Sequence, residues 1–575
     1  MFNYQGTGFK ARLDHARGVL IITLQNGLRF ELRLNSGLDL DHSIDNALNI
    51  IEQTHGLQTS KNTKSLIFKE KNPPAGGVTK EIFLDFFPEG FTYYYTVSGK
   101  GMLNKAHFFR SKRAGSPAPN GCGGPVPFEI FNPDPTGDNR PFSDGKKAQV
   151  ISIASKKETK GGNWFFTPGP FCFAAGGEKD WLTFGLVADR GEWRFESFSY
   201  PGPDFGFTLD YNKNTVFDGL WTSPRMVCLT ASDPYQGLTI YNEWYKNRYK
   251  VFTPQTQKET WPTQPGNPSP TWHKQPIFCG WGEQVSQTYE NKNLKAANFA
   301  TQANYKTWLG ILEKKEIKPG TIVIDDKWQK CYGINDIDKT KWPDLPGFVK
   351  DCHANGQHVL LWLKAWDWEG LPKTECILNS KGEAVACDPT NPAYRDRFCN
   401  QLKFLVNEVG IDGFKLDFTH KIPHSPGLAL NNNSGGMELL REWLALVSTT
   451  LHVNKPDGFL ISHCVNPYLL DLTDAFRLND FTNQATSLTS LKPALRHRVR
   501  VIKALKEDAL IDSDNWPCYS KTQWQDYLGG QATGEFGIPA LYFATRIAWG
   551  DCNSYLDDYD YSLIRTTWAS YRASL

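Results

Sequence analysis

Lys415 and Asp417 stand two residues apart in the segment GIDGFKLDFTH, Gly410 to His420. The rest of the segment reads as a buried strand. Strand alternation turns Lys415 and Asp417 to one side and Phe414 and Leu416 to the other. An unpaired buried charge costs several kcal/mol, so these two must pair or line a wet pocket. Polar residues also close other short apolar runs: Asp325, Asp326, Lys327 and Trp328; Lys364, Trp366, Asp367 and Trp368; His463 and Cys464; Arg477 and Asp480; Asp512 and Asp514. One such pair is as well explained by an ion pair closing a strand end; charges at so many ends together point to a pocket. Carboxylates, an arginine and several tryptophans suit glycoside hydrolysis, in which one carboxylate attacks or activates water and another protonates the departing oxygen. Asp417 and Asp480 are the natural pair. Lys415 is expected to hold Asp417 ionised, while Asp480 needs a less charged setting.

The elements that must position these residues follow from the hydrophobic pattern. Residues 1–250 read as a large antiparallel β-sandwich of hairpins. GVLIITLQNGLRFELRLN alternates on both sides of Asn26-Gly27, a two-residue turn signal, and KEIFLDFFPEGFTYYYTVSG repeats the plan at Pro88-Glu89-Gly90. Residues 114–147, rich in Gly, Pro and Asn, read as a long loop, either a plain excursion or the rim of a neighbouring site. YQGLTIYNEWYKNRYKVF looks helical, and residues 251–275 form a Pro-rich linker. From 276 to 575 short apolar strands alternate with helical stretches: PIFCGW, GTIVIDD, HVLLWLKAW, DGFKLDF, GFLISHC, AFRLND, ALIDSDN and PALYFATR. That number of strands in that length predicts a (β/α)8 TIM barrel, whose chemistry sits at the C-terminal strand ends, with little or no C-terminal β-domain. A doubly wound sheet fits less well, because no Gly-rich phosphate loop follows the first strand.

Composition narrows the partners. The 63 basic and 61 acidic residues give a net charge of +2 with no long basic run, which argues against nucleic acid. No stretch of ~18 uncharged apolar residues spans a membrane, and the N-terminus lacks a secretion signal, so a cytoplasmic enzyme is expected. The 12 cysteines form no close CxxC pair, so they read as reduced core residues, with no metal and no cofactor. The partner is an oligosaccharide or other glycoside substrate; a homo-oligomer is compatible with this composition. Among the 19 tryptophans, Trp281, Trp362, Trp366 and Trp368 are candidate platforms for sugar rings, against a core role for at least half of them.

Three segments, IVIDDKWQ, GIDGFKLDF and FRLNDF, together with FCGWG, resemble the motifs of the retaining α-galactosidase clan. The likeness is greatest to glycoside hydrolase family 36, including its raffinose-synthase-like branch, and spans Pro276 to Phe481. The resemblance implies Asp417 as nucleophile and Asp480 as acid/base. It implies that Asp325 and Asp326 bind hydroxyls at the far end of the sugar, that Lys415 and Arg477 bind near the attacked carbon, and that Trp328 is an aromatic wall. Cys464 aligns with the family's fifth-strand cysteine. Lys327 replaces the family's glycine, and HCVNP lacks its two glycines. The resemblance implies an α-galactosidase acting through a covalent glycosyl-enzyme.

Other readings use the same residues. An α-glucosidase, an α-xylosidase or an α-galactosyl transferase would keep the machinery and change the sugar or the acceptor. A Schiff-base lyase would need a desolvated Lys415, which Asp417 opposes. A sugar-binding protein would not need both Asp417 and Asp480. Adjacent strand residues face opposite sides, so of Asp325 and Asp326 one is expected to clamp hydroxyls and the other to hold the loop or Lys327. His463 and His420 are candidate hydroxyl ligands or packed histidines, and Asp512 and Asp514 pocket or loop-capping residues.

Overall fold

The computed structural model describes residues 2–575 apart from 35, 42–50, 61–62, 71–78, 110–127, 136–139, 154–167, 203–204, 253–268, 425, 433, 479, 481–489, 515 and 517. The N-terminal half is antiparallel throughout. A four-stranded sheet of Asn3–Gln5, Phe9–Asp14, Val19–Leu24 and Arg29–Arg33 faces a 13-stranded sheet. Alternating strands such as Thr79–Phe87 bury every second residue. The inner faces meet through aromatic rings: Phe2 lies 4.9 Å from Phe86 and Phe30 lies 5.9 Å from Phe205, centroid to centroid.

Two local expectations change. The turn at Asn26-Gly27 has three residues, because the Leu24 N–H donates to the Leu28 carbonyl at 2.9 Å. Gly27, at φ +85°, takes the left-handed position that such a loop requires. In the expected long loop at 114–147, Glu129–Phe131 pairs with Phe142–Asp144, which forms an edge of the larger sheet. Residues 114–127 and 136–139 lie outside the described residues, as do 253–268 of the expected linker.

The helix Pro234–Phe252 leads towards the barrel. Its strands are β1 (Ile277–Cys279), β2 (Thr321–Ile324), β3 (His358–Lys364), β4 (Gly413–Asp417), β5 (Phe459–Ser462), β6 (Ala475–Arg477), β7 (Leu510–Asp512) and β8 (Ala540–Leu541). All neighbours pair in parallel from β1 through β7. Strand β8 returns to pair β1, and a bridge from Asp512 to Ile538 joins β7 to the approach of β8. A large antiparallel sheet domain followed by a (β/α)8 barrel is the architecture. Beyond β8 come the hairpin Arg546–Trp549/Cys552–Tyr555 and the helix Asp558–Ala573.

Candidate active site

The strand ends converge on one line of buried polar groups. Lys415 on β4 does not pair with Asp417. Its ammonium donates to Asp325 Oδ2 at 2.8 Å, to Tyr542 Oη at 3.2 Å and to Cys279 Sγ at 3.5 Å. Asp325 is in turn filled: Oδ2 also accepts from the Cys279 thiol at 3.0 Å, and Oδ1 accepts the Asp326 N–H at 2.8 Å. The Tyr542 hydroxyl donates to Asp514, whose other oxygen accepts Arg477 Nε at 2.8 Å. Lys415 is thus a hub of the barrel interior, 2% exposed. Burial opposes its charge, but Asp325, Cys279 and Asp514 together outweigh burial and raise its pKa above the ordinary lysine value. A protonated ammonium with every proton engaged is no Schiff-base nucleophile.

Arg477 then reaches both candidate catalytic carboxylates. Its Nη1 lies 3.4 Å from Asp417 Oδ2 and its Nη2 donates to Asp480 Oδ1 at 3.1 Å. One guanidinium therefore joins the two carboxylates. Asp417 is further fixed by the Phe418 N–H at 2.8 Å and the Trp362 indole N–H at 3.2 Å. Their environments drive the two apart. Burial would raise Asp417, but its cationic neighbours, Arg477 foremost, hold it well below the usual carboxylate range. Burial pushes Asp480 up to about 7, against Arg477 and with the help of Asp514 and Asp417. One carboxylate stays ionised and the other keeps a proton near neutrality, the division of labour of a nucleophile and an acid. The suppressor of the Asp417 pKa is chiefly Arg477; Lys415, expected in that role, contributes less.

Asp326 stands where β2 opens. Its Oδ1 accepts the Tyr332 hydroxyl at 2.6 Å, and burial pushes its pKa up to about 6. Two ammoniums lie over the Tyr332 ring, Lys327 at 3.5 Å and Lys364 at 4.2 Å from its centroid. Lys327 pairs with Glu369 and Lys364 with Asp367; of the two expected alternatives, Asp325 holds the start of the loop through the Asp326 N–H and not Lys327. Lys327 has φ +145°, a backbone conformation that favours glycine.

Several candidates are walled in. Trp328 is 0% exposed with its indole donating to the Trp362 carbonyl at 2.8 Å, so it offers no face to a sugar. Trp366 donates to the Thr419 carbonyl at 2.9 Å from within the core. Cys464 is fully buried, and burial pushes its thiol up to about 12. His463 Nε2 lies 2.5 Å from Thr419 Oγ1, and burial pushes its pKa down to about 3, that of His420 to about 4. Of the four tryptophans considered as platforms, Trp281 is half-buried against Trp516, Trp362 serves Asp417 and Trp368 is exposed. Asp514 belongs to the polar line, and Asp512 Oδ1 accepts its N–H at 2.9 Å. Cys279, Tyr332 and Tyr542 were missed; being formally uncharged, they give no signal until the barrel closes. Among the described residues no group of His, Cys, Asp and Glu is arranged to hold a metal ion, and no helix is long and apolar enough to cross a membrane.

Residues 282–441 match the model of the glycosyl hydrolases family 31 TIM-barrel domain. Among solved structures the chain is similar to a GH31 family sulfoquinovosidase from E. rectale, at 12% identity and a TM-score of 0.58, covering 100% of this chain and 83% of that one. It is also similar to a cycloalternan-degrading enzyme from Trueperella pyogenes, at 12% identity and a TM-score of 0.51, over 89% of this chain and 82% of that one. A third is a GH36 alpha-galactosidase from Geobacillus stearothermophilus, at 10% identity and a TM-score of 0.52, over 100% and 86%. Such identities show a shared fold. No curated protein matches the sequence. The family match thus falls on family 31, not on family 36, whose motifs the sequence resembles.

Proposed function

We propose that this chain, an enzyme built on a glycoside hydrolase barrel, is a retaining α-glycosidase that works by double displacement with Asp417 as nucleophile and Asp480 as acid/base. The supporting observation is the Arg477 bridge between two carboxylates of opposite tendency, Asp417 held ionised and Asp480 raised to about 7. Asp417 attacks the anomeric carbon while the departing oxygen takes the Asp480 proton, leaving a glycosyl ester on Asp417. Asp480, now ionised, takes a proton from water, whose oxygen attacks the same carbon and frees Asp417. Two inversions give net retention.

For the sugar, the reading that fits best is an α-glucoside or α-xyloside, the alternative to the galactoside that the motifs implied. The family 31 match of residues 282–441 favours it. The α-galactoside remains the second reading, carried by IVIDDKWQ, GIDGFKLDF and FRLNDF. Initial rates on 4-nitrophenyl α-glucoside, α-xyloside and α-galactoside decide between them. The glucoside or xyloside is expected to lead by at least ~10-fold, the low end of single-group discrimination. A galactoside lead of that size selects the second reading. An inverted first-formed anomer by proton NMR would overturn the mechanism.

A further inference from the structure

Asp480 lies just past the end of β6, and a third of its side chain is exposed. A carboxyl placed there can deliver its proton only if its backbone is held. The helix Lys492–Leu505 supplies the hold. Arg498, 0% exposed, donates from Nη1 to the Leu478 carbonyl and from Nη2 to the Asp480 carbonyl at 3.2 Å. The guanidinium therefore clamps the backbone on both sides of residue 479.

A guanidinium buried against carbonyls calls for a nearby negative charge. Part of it comes from the other domain, beside Asp514 and Asp480 of the barrel. The Pro133 carbonyl accepts from His497 Nε2 at 3.0 Å, which seats residues 133 and 134 against the helix beside Arg498. Asp134 is 0% exposed; burial pushes the Arg498 pKa down to about 10, and Tyr527, Asp134, Asp514 and Asp480 act against that fall. Asp134 is itself held in place. Its N–H donates to Asn132 Oδ1 at 3.0 Å, and Gly169 packs so close that an added Cβ would lie 2.7 Å from the Asp134 Cβ. The Gly169 carbonyl accepts from Asn466 Nδ2 at 2.7 Å, so the same sandwich segment also grips the connection after β5.

We propose that Arg498 is a positioning residue for the general acid, and that the β-sandwich, through Asp134, holds Arg498 in place and so takes part in catalysis. This rests on the reading of Asp480 as the acid/base. Arg498 touches neither sugar nor reacting atoms; it acts by fixing where the Asp480 proton is delivered, and ~1 Å of misplacement can cost 10²-fold in rate.

The test is the ratio of kcat/KM for 2,4-dinitrophenyl α-glucoside, which departs without a proton, to that for phenyl α-glucoside, which needs one. The ratio is independent of how much of a preparation is folded. Arg498→Met is expected to raise it at least ~10-fold, Arg498→Lys to raise it less, and Asp134→Asn to raise it a few-fold, within the span of general acid catalysis. Asp480→Asn, measured alongside, gives the ceiling. If Asp480→Asn raises the ratio but both Arg498 variants and Asp134→Asn slow the two substrates equally, the positioning role is wrong and the acid stands. If Asp480→Asn leaves the ratio unchanged, the acid assignment fails and takes the positioning role with it. Should Arg498→Met give no folded enzyme, Arg498→Lys and Asp134→Asn decide by the same criterion.

Discussion

The Lys415 ammonium donates to Asp325 at 2.8 Å with 3% and 4% of the two side chains exposed, tying β4 to β2 inside the barrel mouth. The tie has two consequences. It takes Lys415 away from Asp417 and leaves the nucleophile to Arg477. Through Tyr542 and Asp514 it also continues to Arg477, so the charge around Asp417 is set by contacts that run from β2 to β6.

Removing one partner of this pair should therefore destabilise the barrel. Lys415→Met leaves the Asp325 carboxylate buried without its cation, at a cost of about 3–5 kcal/mol. In a Lys415→Met/Asp325→Leu double variant no charge is stranded, and at least half of the loss should be recovered. Urea unfolding followed by tryptophan fluorescence reads both. A double variant as unstable as the single one would show that the pair is not the source.

The pH dependence of kcat/KM follows from two carboxyls. Asp480 must be protonated to release the leaving group, so activity is lost as pH rises through about 7. Asp326, in the proposed hydroxyl-binding role, is the stronger acceptor when ionised, so activity is expected to fall as pH falls through about 6. Asp417, held far lower, sets neither limb. The Tyr332 hydroxyl lowers the Asp326 pKa, so Tyr332→Phe should move the acid limb to higher pH and leave the alkaline limb in place. A Tyr332→Phe profile with an unmoved acid limb removes Asp326 from that role.

The covalent intermediate can be caught directly. Incubation with a 5-fluoro-α-glucosyl fluoride, whose ester hydrolyses slowly, should add one fluoroglycosyl mass to the protein, on the peptide that carries Asp417. Asp417→Asn should add none and lose at least ~10³-fold of turnover, within the range of losses on removing a catalytic nucleophile. Label on any other carboxylate in the digest reassigns the nucleophile.

The strand pattern made the barrel legible because each apolar run is short and closed by polar residues, as GTIVIDD and DGFKLDF are. It located Asp417, Asp480 and Arg477 for the same reason: charge at a strand end is visible in one dimension. The partner of each charge was not. Lys415 and Asp417 share a strand face, yet Lys415 meets Asp325 and Cys279, which are 90 and 136 residues away in sequence. Trp328 and Trp366 sit beside charged residues but turn into the core, where their indoles find backbone carbonyls. Composition could not separate such tryptophans from Trp362, whose indole serves the nucleophile.

Lys327 gives the last prediction. Its φ of +145° is strained for any residue but glycine, a strain on the order of 1–3 kcal/mol. What offsets it is the pair with Glu369 and the contact over the Tyr332 ring. The Lys327 and Glu369 side chains are 17% and 47% exposed, and a pair so placed contributes about 0–1 kcal/mol. The ring contact adds ~0.5–1 kcal/mol. The strain is of the same size or larger, so Lys327→Gly should leave stability unchanged or raise it by up to about 1 kcal/mol. Glu369→Gln should cost less in the glycine background than in the parent, because its partner is already gone. In the Lys327→Gly variant the Tyr332 ring loses one of its two ammoniums, which frees the hydroxyl that orients Asp326. KM for the preferred aryl glycoside should then rise while kcat holds. A glycine variant clearly less stable than the parent would mean that the lysine contacts outweigh the backbone strain.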